Sequence, residues 1–255
     1  MSTGLKFKPR ILGFVCNWCA YGAADLAGVS RLQYTTEAKL IRVMCTGRVD
    51  LSFVLRAFSK GADGVFIGGC RLNECHYLTD GNSHALSMVL LCKKIMEHIG
   101  LNPERLRIEG MSAGDGILFA EIMNDFGKKV RELGPLGKGE GIDENALKFK
   151  FEAVTKLIPY IKLVERERLR VSFKSEEEYH KFFTSDEVNR LFNELIVDKL
   201  AISQIMLLLW EKPLSTGKIS EILGLTPSEA SRHMNSSSRQ GLVRYDENLK
   251  RFAFA

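Results

Sequence analysis

Hydrophobic and polar positions along the first half of this chain switch between two periods in a repeating way. Arg10 to Val15 is a short apolar run that stops at Cys16, and Gly22 to Arg31 behind it suits a short helix. Lys39 to Met44 repeats the run and stops at Cys45. The helix behind it is clearer, because Leu51, Val54, Leu55 and Phe58 fall at i, i+3, i+4 and i+7. Asp63-Gly64 turns the chain into a third run, Val65 to Gly69, which stops at Cys70; Ala85 to Ile99 then reads as a helix ended by Gly100. A fourth unit joins Leu106 to Met111 with a helix over Ile117 to Leu133. Its Leu118, Ile122, Phe126, Val130 and Leu133 share a face, and its cap falls to Asp115.

Short apolar strands alternating with amphipathic helices predict an α/β fold. The sheet should be four-stranded, parallel and covered by helices on both faces, flavodoxin-like, because each crossover helix buries one side of it. Cys16, Cys45 and Cys70 then all emerge at the carboxyl edge of the sheet, where open α/β folds place ligands, and Cys19 and Cys75 lie in loops that start there. Five thiols separated in sequence are thereby brought to one place. Gly47, Gly68 and Gly69 let the backbone come close to a bound group.

The pattern changes after Leu133. Gly134 to Gly141 holds four glycines and a proline in eight residues, which reads as a flexible linker with a coil reach of about 15 Å. It divides the chain into 1–137, the α/β domain, and 138–255, a helical extension with a smaller, mostly α, winged-helix-like domain. Asn145 to Ile158 is helical, with Leu147, Phe151, Val154, Leu157 and Ile158 on one stripe until Pro159 kinks or ends it. Ser175 to Glu178 is a capping box, and Ser185 or Asp186 caps a longer helix to Trp210. Ser215 or Thr216 caps Lys218 to Leu223, Gly224 stops it, and Thr226-Pro227 opens a helix to Gln240. Val243 to Ala255 forms a hairpin around Asp246-Glu-Asn248.

Composition narrows the setting more than the fold. The 255 residues are 45% hydrophobic and 26% charged, with a net charge of +5, too small to imply nucleic acid by itself. Met1 to Arg10 lacks the apolar core of a signal peptide, and the longest aliphatic run, Ile205 to Trp210, is far too short to span a bilayer. The expected compartment is a reducing cytoplasm, where thiols stay free for metal or redox chemistry.

Five of the six cysteines fall between Cys16 and Cys75. The sixth, Cys92, lies in mid-helix beside Met88, Ile95, Met96 and Ile99 and reads as core packing. Four uses compete for the other five. Packing as small apolar side chains fits poorly at strand-end loops, which are expected to be exposed and open to oxidation. A dithiol at Cys16 and Cys19, ahead of a helix N-terminus, leaves three thiols without a task. Zinc takes four thiolates but normally staples small or loop-rich folds. An iron-sulfur cluster takes thiolates from opposite sides and from scattered loops, and stands first of the four. Arg48 and Arg71 adjoin ligand candidates and either raise a cluster's potential or remain solvated surface residues. Trp18 either shields a cluster or anchors its loop in the core, and His76 is a minor ligand candidate.

At these residues the sequence resembles a known family. Phe14-Val-Cys-Asn-Trp-Cys-Ala-Tyr-Gly, Arg42-Val-Met-Cys-Thr-Gly-Arg, Gly61-Ala-Asp-Gly-Val-Phe-Ile-Gly-Gly-Cys, Glu74-Cys-His-Tyr and Leu133-Gly-Pro-Leu-Gly are similar to motifs of the methyl-viologen-reducing hydrogenase delta subunit. The resemblance runs from about Arg10 to Gly137. It implies one 2Fe-2S cluster and no flavin. It also implies electron transfer between a partner, such as a NiFe hydrogenase or formate dehydrogenase, and the flavin-containing A subunit of heterodisulfide reductase. Cys16, Cys19, Cys45, Cys70 and Cys75 match the family's cysteine positions, so five thiols serve four ligand places and one is spare. The chain has no Gly-x-Gly-x-x-Gly fingerprint, in agreement with a subunit that holds no dinucleotide. Such a subunit has no complete active site of its own, and no catalytic residue is assigned.

The C-terminal order of helix, turn, helix and hairpin resembles a winged helix-turn-helix. Ile219 to Met234, followed by Gly241-Leu-Val, is close to the pattern of bacterial and archaeal regulators. In DNA-binding members the Thr226 to Gln240 helix enters the major groove, making Ser228, Ser231, Arg232, Asn235 and Arg239 candidate contacts. From Asn145 onward, however, eighteen basic residues face fifteen acidic ones, and Glu229 at the front of that helix meets phosphates badly. Docking within a protein complex is therefore preferred over DNA. The runner-up function is an iron-sulfur redox-sensing transcription regulator acting through this winged helix, and a cytosolic dithiol reductase comes third.

Overall fold

The apolar runs form strands at Ile11–Cys16 (β1), Ala38–Val43 (β2), Gly64–Gly69 (β3) and Leu106–Gly110 (β4), all parallel, in the spatial order β2-β1-β3-β4. The structure, a computed structural model, describes residues 7–255; most of the stretch read for an export signal lies outside the described residues. Burial follows position in the sheet. Every residue of central β3 is buried, whereas edge strand β2 has none that is fully buried. That is the pattern expected of a sheet covered on both faces.

Helices Ala20–Val29 (α1) and Gly116–Leu133 (α4) cover one face. Their Ala20, Ala23, Ala27, Phe119, Met123 and Phe126 share a core with Val15 and Phe66. Helix Leu51–Ser59 (α2) meets the opposite face, where Phe14 stacks on Phe53 with ring centroids 6.3 Å apart. Helix Asn82–His98 (α3) packs beside α2. Order 2-1-3-4 with helices on both faces is the predicted flavodoxin-like arrangement.

The segment expected as a coil linker is a hydrogen-bonded turn. Arg105, with a fully buried side chain, pairs with Glu140 at 2.5 Å and donates to the carbonyls of Asp63 and Gly134 at 3.1 and 2.9 Å. Asp63 in turn accepts from the amides of Arg10 and Leu136 at 2.8 and 2.9 Å. The glycines follow from this packing: an added Cβ at Gly139 would lie 1.9 Å from the Leu133 carbonyl oxygen. A composition suited to a linker is here a composition suited to a crowded turn.

Contacts divide the chain into two units: residues 1–148 with 162–185, and residues 149–161 with 186–255. Helix Glu144–Val164 (α5) contributes to both and runs through Pro159 instead of ending there. Pro159 and Thr155, whose carbonyl loses its donor, are exposed, while Phe151, Val154, Ile158 and Ile161 are buried. The lost bond is therefore on the side that water can solvate. Helix Glu176–Thr184 (α6) opens with the expected capping box of Ser175 and Glu178. The long helix expected toward Trp210 is Asp186–Phe192 (α7) and Asp198–Glu211 (α8), joined by a π-helical turn over Asn193–Val197.

In the second unit Thr216–Leu223 (α9) is capped by Ser215 and stopped by Gly224 at φ 67°, and Pro227–Arg239 (α10) opens with a Thr226–Glu229 capping box. Strands Val243–Asp246 (β5) and Arg251–Phe254 (β6) form the hairpin, and Leu214 pairs with Phe252 beside it. Ile205, Leu209, Leu214, Ile219, Met234 and Val243 make the core of this winged-helix-like unit. Among the described residues no helix is long and apolar enough to cross a membrane.

Removing one partner of the buried Arg105–Glu140 pair leaves an uncompensated charge, which typically costs about 3–5 kcal/mol. R105M should lower the stability of the sheet-bearing unit by that order and E140Q by less. The measurement is urea unfolding in a Trp210→Phe background, where Trp18 remains as the only tryptophan of the two. An unchanged midpoint in R105M would show that the turn is not held by this pair.

Candidate metal centre

β1 and β3 are neighbours whose chains leave in opposite directions, β1 toward β2 and β3 toward β4. The crevice at such a switch point is where open α/β sheets receive ligands. Cys16 is the last residue of β1, Cys70 follows β3 directly, and Cys19 stands at the N-cap of α1. The sulfurs of these three lie within 4.8 Å of one another. Cys45 follows β2, and its sulfur lies 3.8 Å from that of Cys75. Cys16 Sγ is 3.7 Å from the Met44 carbonyl oxygen, which ties the loop of Cys45 to that of Cys16. All five cysteines singled out in the sequence thus converge, as a set of three and a pair.

None of them is exposed. Cys16, Cys19, Cys45, Cys70 and Cys75 are between 1 and 9% accessible, so the expectation of open strand-end thiols is corrected. The loops fold over the sheet edge because their glycines permit it. A Cβ on Gly47 would lie 2.1 Å from the Asp80 carbonyl oxygen, and one on Gly81 would lie 2.2 Å from Cys75 Sγ. Two backbones therefore pass within touching distance above the sheet.

The electrostatics show what this crowding asks for. Cys16 is driven well below the ordinary thiol range by hydrogen bonds from Cys19 and Cys70, and Cys19 is driven far up by the same contact with Cys16. Contact with Cys16 raises Cys70 to about 12, and burial raises Cys45 to about 11. A first thiolate is thus stabilised by its neighbours' S–H groups, while each further one meets burial and like charge. Several thiolates coexist here only beside a compensating cation, and sulfur donors select soft metals. The donor set fits an iron-sulfur or zinc group.

The remaining expectations divide. Cys92 is fully buried in α3, and burial pushes its thiol up to about 12, as core packing requires. Trp18 is 45% exposed, so it does not anchor its loop in the core; it stacks on His76 with centroids 4.3 Å apart. His76 also meets Tyr77 edge-on at 5.0 Å. Arg48 is exposed, and Arg71 is paired at 2.7 Å with Asp115, which offsets the charge it would present to a cluster. Asp115 makes no cap bond to α4; its carboxylate accepts instead from the Ser112 amide at 2.7 Å.

Three residues that sequence reasoning passed over support the site. Asn82, 8% accessible, donates from Nδ2 to the carbonyls of Cys70 and Arg71 at 2.8 and 2.7 Å and so fixes the turn after β3. Gly81 admits Cys75, and Thr46 is buried beside Cys45. The helix was expected from Ala85, whereas α3 opens at Asn82, so Asn82 fell outside the expected element and gave no signal.

Comparison with known proteins agrees with this arrangement. The family described as methyl-viologen-reducing hydrogenase, delta subunit, matches residues 11–134, and the arsR family of bacterial regulatory proteins matches residues 203–245. The vhc iron-sulfur D subunit of the F420-non-reducing hydrogenase of Methanococcus voltae is 46% identical over 130 residues, which is 51% of this chain and 90% of that protein. The corresponding iron-sulfur D subunit of the F420-non-reducing hydrogenase of Archaeoglobus profundus is 45% identical over 130 residues, 51% of this chain and 94% of that protein. The A subunit of the ferredoxin:CoB-CoM heterodisulfide reductase of Methanosarcina mazei is 45% identical over 129 residues, again 51% of this chain but only 16% of that much longer protein. Through the half that bears the sheet and the five thiols, this chain belongs to the methyl-viologen-reducing hydrogenase delta subunit family.

Proposed function

We propose that the protein is a cytoplasmic electron-transfer subunit that holds one 2Fe-2S cluster on four of Cys16, Cys19, Cys45, Cys70 and Cys75. It passes electrons between a hydrogenase- or formate-dehydrogenase-type donor and the flavin-containing A subunit of a heterodisulfide-reductase-type complex. The observation that carries the reading is the division of the thiols into three and two. A mononuclear tetrahedral ion needs four donors around one point, whereas a binuclear cluster needs donors on opposite sides. When bound, such a group takes up and releases one electron at a potential set by its surroundings.

The chain's own residues supply the rest. The loops exclude water from the sulfurs, and the exposed rim formed by Trp18, Tyr21, Met44, Tyr77 and Leu78 offers apolar area close to them; Leu78 is 81% accessible. Exposed apolar residues gathered around a site mark a docking face. This choice of partner is supported by the comparison in which sequence like that of the sheet-bearing half lies within the A chain of a heterodisulfide reductase. Two units joined in one chain in one organism work together, and the same pair as separate chains would associate.

The winged-helix-like unit serves assembly in this reading. Arg232, a candidate DNA contact, is ion-paired with Asp198 at 3.0 Å, and Glu229 is committed to its capping box. The match to arsR-family regulators favours the second reading, a redox-sensing regulator in which Ser228, Ser231, Asn235 and Arg239 meet DNA. That reading requires specific DNA binding whose affinity falls steeply with salt. Failure to bind DNA at low salt ends it.

Anaerobically purified protein should contain two irons and two sulfides per chain and give a spin-half EPR signal after dithionite reduction. Zinc without sulfide would contradict the proposal. Serine at Cys45 or Cys75 should abolish the signal, because that side has no thiol in reserve. One of Cys16, Cys19 and Cys70 should tolerate serine with full iron content. Gly81→Ala, which removes no thiol, should lower iron content by more than half, because its Cβ collides with Cys75 Sγ; full loading would show that this loop yields.

A further inference from the structure

One polar atom at the site has no partner. Thr46 is 1% accessible, and its Oγ1 makes no hydrogen bond. A buried hydroxyl left unsatisfied is unfavourable, and valine fills nearly the same shape without that cost. The position of the hydroxyl is specific. Thr46 follows Cys45, and a Cβ on Gly69, the residue before Cys70, would lie 2.9 Å from Thr46 Oγ1. Thr46, Gly69, Cys70, Asn82 and Glu109 all line one void of about 20 Å³.

The nearby main-chain acceptors are already engaged. The Gly69 carbonyl accepts from the Met111 amide at 2.9 Å, and the Cys70 carbonyl accepts from Asn82 Nδ2 at 2.8 Å. On the Cys45 side, the Gly47 amide donates to Cys45 Sγ at 3.4 Å, so that sulfur already has a donor. Besides the carboxylates of Glu109 and Glu176, the acceptor that lines the same void as the Thr46 hydroxyl is sulfur on the Cys70 side.

We propose that Thr46 is the hydrogen-bond donor reserved for the sulfur of the group bound at these cysteines, and that it raises the reduction potential of that group. This rests on the reading of the thiols as holding a 2Fe-2S cluster. A donor to cluster sulfur stabilises the reduced state, which carries the extra negative charge, so potential is the direct readout. Thr46 is a positioning and tuning residue and not a ligand.

The test is a redox titration of the full chain, loaded anaerobically, as wild type, Thr46→Val, Thr46→Ala and Thr46→Ser. Val and Ala should each lower the equilibrium constant for reduction by about tenfold, which is 59 mV for one electron, and Ser should match the wild type. An unchanged potential in Val or Ala protein with wild-type iron and sulfide would overturn the proposal. Loss of the cluster from both Val and Ala, with Ser loading fully, would assign Thr46 to holding its loop and would equally overturn it. Wild-type protein without iron and sulfide is a different result, and it strikes the reading of the thiols themselves.

Discussion

Five buried thiols, three within 4.8 Å of one another and two 3.8 Å apart, are the constraint on which the rest of this structure depends. Sulfur is tolerated in a core as a neutral thiol but not as a cluster of thiolates, because burial and like charge both oppose ionisation. Cys16 gains a thiolate's stabilisation chiefly from the protons of Cys19 and Cys70, with the backbone amides of Trp18 and Cys19 adding to it. A packed core has no use for this arrangement, since apolar side chains would fill the same edge without conflict. The conflict is removed when a cation takes the place of the shared protons, and coupling of this kind makes metal binding a source of folding energy.

The fold supplies the meeting place and the loops supply the closeness. A parallel sheet of order 2-1-3-4 opens a crevice between β1 and β3, and Cys16 and Cys70 flank it because one ends β1 there and the other directly follows β3. Cys45 and Cys75 come from farther away and need glycine at Gly47 and Gly81 so that two backbones can cross. Asn82 fixes the turn that carries Cys70, and the Trp18–His76 stack joins the loop of Cys19 to that of Cys75. The five thiols and the residues that support them thus belong to different elements, which is what divides the sulfurs into a set of three and a pair.

Much of this was legible from the chain alone. Strand-helix alternation announced the sheet, and the stop of three apolar runs at Cys16, Cys45 and Cys70 announced where the thiols gather, because strand ends are where period and polarity change together. Burial of the thiols was not legible, since it arises from loops folding over the edge, a non-local event. Arg105 and Glu140 show the same limit: a glycine-rich segment signals conformational freedom, yet a buried ion pair distant in sequence turned it into a fixed turn. Pro159 illustrates a local rule overridden by packing, because the helix keeps its buried stripe and exposes the defect. Asn82 gave no signal, and Thr46 stood only as one residue of a quoted motif, since their roles are defined by the neighbours the fold brings to them.

The most direct test of the central claim is the Mössbauer spectrum of protein grown on iron-57 and isolated anaerobically in its oxidised form. The account predicts two ferric irons in all-sulfur tetrahedral surroundings, coupled to a diamagnetic ground state. A single iron site with a magnetic ground state, or protein free of iron, would contradict it.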